Sequence, residues 1–230
     1  MPLKLYELVG TDPSRPFSPF CWRTRMALAH KGLSAETIPW CFTEKAAIAP
    51  HGSEKVPVLL DGDDTVVDSW AIANYLEDKY PDRPSLFGGE GGRAVGRMLN
   101  WWGDAVIGGM FPLIIADIPL NLKPEDAAYF RKTREARFGK PLEEIMASRE
   151  QSLAGFRKTL EPMRLTLKTQ PYLGGDAPNY ADYIVFGGFQ WARAVSPFKL
   201  LDEADPIFAW REKLLDAFGG MARNSPAFPV

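Results

Sequence analysis

Three short stretches of this 230-residue chain carry residues whose types and positions suit chemistry. The first is Ser18-Pro19-Phe20-Cys21-Trp22-Arg23. A hydroxyl stands just ahead of a helix that follows a strand. The free N–H groups and partial positive charge of a helix start stabilise an anion, a thiolate included. Ser18 can equally be no more than the N-cap of that helix. The second is Val56-Pro57. A valine whose main-chain groups face outward before a proline can pair them with an extended peptide. The third is Asp68-Ser69, at a helix start after a hairpin. Its N–H groups and hydroxyl suit a carboxylate ligand, or they simply cap the helix. Each stretch is weak alone. Together, in this order on a β/α frame, they are specific.

Other chemistries lack their residues. Two histidines and two cysteines are present, His30, His51, Cys21 and Cys41, in no C-x-x-C or H-x-x-x-H pair, so no metal site is expected. Both histidines read as structural, His30 lying in a helix's last turn where a cation suits the dipole. No G-x-S-x-G supports acyl transfer. Cys21, three positions past Ser18, faces a helix interior, so a cysteine-type oxidoreductase is not expected. Lys and Arg number 27 against 29 Asp and Glu, a net charge of −2 that invites neither nucleic acid nor an anionic membrane. No apolar run reaches the ~18 residues of a transmembrane helix. The opening MPLKLYELVGTDPSRP has no signal-peptide apolar region. The expectation is an intracellular, thiol-reduced, cytoplasmic protein.

The elements that must position these residues are legible. Leu3–Leu8 is a short apolar strand ended by Gly10. Residues 19–31 read as a helix, with Pro19 in its first turn and Gly32 past its end. Residues 37–40 form a second strand. Val56–Leu60 and Thr65–Val67 flank Asp61-Gly62-Asp63-Asp64, a hairpin signal. Ile72, Tyr75, Leu76 and Tyr80 mark the buried face of the helix after Asp68, and Pro81 ends it. The Pro- and Gly-rich 81–92 reads as a linker. Beyond it the periodicity is helical. Met98, Trp101, Trp102, Ala105 and Val106 form one stripe. Leu153, Phe156, Leu160, Met163 and Leu167 form another. Asn179 and Asp182 have capping-box spacing, and 206–218 is a last helix closed by Gly219-Gly220. The predicted organisation is an α/β domain over 1–80, a linker over 81–92 and an all-α domain over 93–230.

On these residues the chain resembles the glutathione S-transferase family. SPFCWRTRMALAHKGL is similar to its serine-type motif. EKVPVLLDGDDTVVDSWAIANYLEDKYP is similar to its cis-proline loop and acidic-Ser glutathione site, and YLGGDAPNYADYIV to its helical-domain capping segment. SPFCWRTR, SEKVPV, DSWAIANYLEDKYPDRPSLF, TREARFGKPLEEIMASRE and TLEPMR more narrowly resemble the bacterial etherase-like group, which cleaves lignin β-aryl ethers. The resemblance implies a thioredoxin-like α/β N-terminal domain, an all-α C-terminal domain, glutathione as co-substrate and a homodimer. Its contact surfaces would be the 72–80 helix and the 93–102 helix start. Ser18 would sit beside the glutathione sulfur as the catalytic residue. Val56 would pair with the cysteinyl unit ahead of a cis Pro57. Asp68 and Ser69 would hold the γ-glutamyl end, and Lys55 the glycyl carboxylate. Trp40 would be a wall residue.

The sequence departs from zeta-class isomerases after Gly108-Gly109, where it reads Met110-Phe111-Pro112-Leu113-Ile114-Ile115. Met110, Phe111, Ile114 and Ile115 are expected to form an apolar substrate wall without fixed charge, with Pro112 bending the helix open. A hydrophobic, aromatic electrophile follows, with β-aryl ether cleavage as the narrow version. A zeta-like glutathione-dependent cis–trans isomerase and a non-catalytic ligand binder are the alternatives.

Overall fold

The computed structural model describes residues 2–230. The first strand, β1 (Leu3–Leu8), buries Leu3 and Leu5 by the period of two that turns one strand face to the core, and Leu8 is buried as well at its end. Ser18 caps α1 (Pro19–His30), and Gly32, at φ 64°, turns the chain just past it. β2 (Ala35–Trp40) runs parallel to β1, with Leu3 opposite Ala35 and Leu8 opposite Trp40. It is an edge strand, which is why it tolerates Pro39. A short helix α2 (Lys45–Ile48) and a 3₁₀ turn lead to the hairpin of β3 (Val58–Asp61) and β4 (Asp64–Val67). The sheet order is β2-β1-β3-β4, with β3 antiparallel to both its neighbours. Helix α3 (Ser69–Lys79) buries Ile72, Ala73 and Leu76. Tyr75 and Tyr80 instead carry their hydroxyls to Asp61, at 2.9 and 2.6 Å. This is a thioredoxin-like sheet.

The helical part starts with α4 (Glu90–Ile114), so Gly91 and Gly92 stand in its first turn. A Cβ on Gly92 would lie 1.8 Å from the Phe87 carbonyl oxygen, so the connection folds back onto a position only glycine fits. The stripe of α4 is rotated from the sequence expectation. Met98 and Trp101 are 64% and 60% exposed, while Gly96, Asn100, Gly103, Val106 and Met110 face inward. Close packing is the cause, because a Cβ on Gly103 would sit 2.3 Å from the Ile184 Cγ2. Pro112 falls in the last turn of a helix that runs on to Ile114.

Then follow α5 (Pro124–Phe138), α6 (Leu142–Met146), α7 (Arg149–Thr159) and α8 (Glu161–Thr166). The single stripe read over 153–167 is thus two helices, parted at Leu160 ahead of Pro162. Helix α9 (Tyr180–Val195) is the axis of the domain and buries almost every residue. Asn179 accepts the Ala181 N–H at 2.9 Å, and Asp182 accepts the Asn179 N–H at 3.1 Å, closing the capping box. Asp182 also receives Leu173 N–H, Gly174 N–H and the Trp210 indole N–H, at 2.7, 2.9 and 2.7 Å. Helix α10 (Pro206–Gly220) closes the domain, with positive φ at Phe218, Gly219 and Gly220.

The two domains meet where α1 lies along α9. A Cβ on Gly187 would come 2.3 Å from the Pro19 carbonyl oxygen. Arg23 crosses the seam, donating to the Ile184 carbonyl at 3.0 Å and to Asn100 at 3.3 Å, and pairing with Asp104 at 2.8 Å. His30 bridges it too, 2.7 Å from the Tyr183 hydroxyl and 3.0 Å from the Ser85 carbonyl.

Candidate functional site

Ser18 sits where the loop after β1 turns into α1. Its Oγ accepts the Cys21 N–H at 3.3 Å and is buried. Capping uses only a lone pair, so the hydroxyl proton remains free to donate. The two readings of Ser18 are therefore compatible. Cys21, one turn on, is fully buried, and burial pushes its thiol up to about 12. A group held protonated in the core cannot serve as a thiolate nucleophile.

The Val56–Pro57 bond is cis, and Val56 lies beside the α1 start. Its N–H and C=O have no intramolecular backbone partner among the described residues, leaving one donor and one acceptor for a ligand. Asp68, at φ 82°, caps α3 by accepting the Trp70 and Ala71 N–H groups at 2.9 and 3.1 Å. Ser69 is buried, and its carbonyl accepts the Tyr180 hydroxyl at 2.9 Å.

A cleft of about 510 Å³ opens between the domains, a size suited to a small ligand. Ser18, Phe20, Trp40, Lys55 and Val56 line it from the first domain, and Ile107, Gly108, Phe111 and Trp191 from the second. Ser18, Lys55, Val56, Trp40 and Phe111 thus come together. Pro57, Asp68 and Ser69 lie outside that lining. Met110, Ile114 and Ile115 are fully buried and also stand away from it. Their helix shows the cleft its Ile107, Gly108 and Phe111 edge, so the expected wall shrinks to Phe111.

Residues the sequence reading missed supply the rest of the wall. Phe42 packs on Phe17, Tyr129 and Phe130, at centroid distances of 6.1, 6.2 and 5.8 Å. Phe111 packs on Trp191 at 4.9 Å and on Phe138 at 6.2 Å. Phe130, Arg134 and Phe138 recur every four residues along α5, a periodicity that marks one helix face and was available in the sequence. The cleft is also charged, with Lys45, Lys55, Arg134 and Arg137 against Glu54 and Asp104. Among the described residues no three His, Cys, Asp or Glu side chains are grouped to hold a metal ion. No helix there is long and apolar enough to cross a membrane.

Residues 13–84 match the family model for the glutathione S-transferase N-terminal domain, and residues 98–214 match that for its C-terminal domain. The chain belongs to the glutathione S-transferase family. Members of this family are glutathione transferases that use glutathione as co-substrate, and this chain is one of them. Among curated relatives, the glutathione S-transferase-like protein ustS of Aspergillus flavus is 24% identical over 224 residues, covering 83% of this chain and 80% of that protein. Among solved structures, glutathione transferase GSTFuA3 of Phanerochaete chrysosporium superposes with a TM-score of 0.77 at 26% identity, over 97% of this chain and 93% of that one. Glutathione S-transferase CsGST63524 of Ceriporiopsis subvermispora, solved in complex with glutathione, gives 0.78 at 24% identity, over 97% and 94%.

Proposed function

We propose that this transferase joins glutathione to an aromatic, largely hydrophobic electrophile held in the interdomain cleft, with aryl ethers as the narrow substrate class. One observation carries the reading: a buried hydroxyl at a helix start and a valine with free backbone groups open onto a cleft walled by aromatic rings. The Ser18 hydroxyl donates to the thiolate sulfur of glutathione. The N–H groups at the start of α1 add partial positive charge, and together they lower the thiol pKa. Val56 pairs its main chain with the cysteinyl unit. Lys55 takes the glycyl carboxylate, while Asp68 and Ser69 hold the γ-glutamyl end. Phe111, against Trp191, packs on the electrophile.

The thiolate attacks the electrophilic carbon as a C–S bond forms. For an aryl ether next to a ketone, the C–O pair leaves with the aryloxide, and the thiol's proton has already passed to solvent. Holding both reactants in one cleft supplies proximity. An assay of glutathione consumption across aryl ethers, haloarenes and maleyl compounds tests the reading. Turnover of aromatic substrates is expected. Faster turnover of maleyl acids than of any arene would replace the reading with isomerisation.

The proposal extends to a homodimer. Val95, Met98 and Trp101, three residues apart on α4, are 57%, 64% and 60% exposed. Such an apolar stripe suits a partner subunit. Sedimentation at about twice the chain mass is expected, and a monomer at micromolar concentration would refute it.

A further inference from the structure

Among the charged groups lining the cleft, the two acids are already committed. Asp104 pairs with Arg23 at 2.8 Å, and Glu54 with Lys45 at 3.6 Å. Two arginines are not. Arg134 and Arg137, a turn apart on α5, face the cleft and pair with no carboxylate among the described residues. Arg134 lies over Phe130 at 4.6 Å and over Phe42 at 5.3 Å. Of its five N–H donors, only one at Nη1 is engaged, on the Thr133 hydroxyl at 2.8 Å. Burial pushes its pKa down, Tyr129 nearby acts against that, and Arg137 adds to it. A half-buried guanidinium laid over two adjoining rings, with most of its donors free, is a preformed fork for a planar oxyanion.

The position assigns the partner. Ser18, Lys55 and Val56 occupy the cleft's first-domain side, where glutathione's own groups are met. Arg134 and Arg137 stand on the helical side, with Phe111, Phe138 and Trp191. We propose that Arg134, with Arg137 beside it, takes the carboxylate of an aromatic acid, so that the electrophile this protein conjugates is an anionic arene. The inference rests on the transferase reading for its chemistry but not for its binding. It replaces the uncharged wall expected from the sequence.

Two paired measurements test it. Calorimetry compares naphthoate with its neutral isostere naphthamide. Kinetics compare a chlorodinitrobenzoate with the corresponding chlorodinitrobenzene, each attacked by glutathione thiolate with a C–S bond formed and chloride leaving with the C–Cl pair. In the wild-type protein, naphthoate binds more tightly than naphthamide. In Arg134→Met, the acid-over-neutral ratio falls roughly 10- to 100-fold in Kd and in kcat/KM, the worth of a charge-assisted hydrogen bond. In the more exposed Arg137→Gln it falls about threefold, as for a screened surface charge. That second variant decides the matter if Arg134→Met fails to fold. Ratios unchanged within about twofold in both variants overturn the assignment. So does a rise in the glutathione KM with both electrophiles, which would place the arginines on the co-substrate. If neither arene is turned over, the transferase reading fails, while the naphthoate preference and its loss still decide the role of Arg134.

Discussion

Replacing Ser18 by alanine removes one hydroxyl from two jobs that can be measured apart. As a cap, Ser18 accepts a single N–H at 3.3 Å, near the long end for such a bond. Its loss should therefore cost about 0.5–1 kcal/mol of stability, the low end for an N-cap. For a chain of this length that lowers Tm by roughly 1–4 °C. As a donor to a thiolate, the same hydroxyl acts in a buried site, where a hydrogen bond to a charged group is worth about 1.5–3 kcal/mol. The thiol pKa of bound glutathione should then rise by about one to two, and kcat/KM fall about 10- to 150-fold. Thiolate absorbance titrated against pH gives the first quantity, and a haloarene assay the second. A Ser18→Ala protein with the expected small Tm loss but unchanged thiol pKa and kcat/KM would show Ser18 to be a cap alone. Thiolate stabilisation would then belong to the N–H groups of α1.

Phe111→Ala deletes a ring that meets Trp191 at 4.9 Å on the cleft wall. KM for an aryl electrophile should rise about 5- to 30-fold, with the glutathione KM nearly constant. Asp182→Ala strips four donors of their acceptor and should destabilise the fold by about 3–5 kcal/mol, measured by urea unfolding; a loss below about 1 kcal/mol contradicts the network's role. The thiol of Cys21, pushed up to about 12 by burial, has only about one part in ten thousand as thiolate at pH 8. It should resist a thiol reagent in the native protein and react at once after unfolding. Burial lowers the His30 pKa, its Ser85 contact acting against this and Lys31 with it. The neutral form is favoured in the fold, so stability should drop as pH falls below the unfolded value of about 6.5, and a His30→Asn variant should lose that slope.

The sheet and the cleft floor were legible because their signals are local. Short apolar strands, a turn with Gly62, Pro19 at a helix start and the Asn179–Asp182 spacing each dictate structure within a few residues. The rotated stripe of α4 was not, because its cause is a neighbour far along the chain, Ile184. Ile184 needs the room that Gly103 leaves, so the small residues turn inward and Met98 and Trp101 turn out. The same distance hid the cleft's second wall. Met110 and Ile114 are apolar like Phe111, and only the packing of α4 on α9 decides which of them sees a ligand. Arg134 was overlooked for a different reason. A basic residue on a polar helix reads as solvated until the adjoining rings of Phe42 and Phe130 are found packed against it.

The contact between Gly187 and the Pro19 carbonyl sets a rule for recombination within the family. A crossover in the connection near residue 88 looks harmless, since it joins two domains at a glycine-rich point. It nevertheless separates α1 from the helix it was fitted to. A donor second half with any side chain at the Gly187 site would lever the start of α1 outward, and Ser18 is the residue immediately before that start. Halves from two parents are thus interchangeable only when both carry this compatible seam. In breeding new transferases from this scaffold, α1 and α9 have to be inherited as a linked pair, however far apart they lie in the gene.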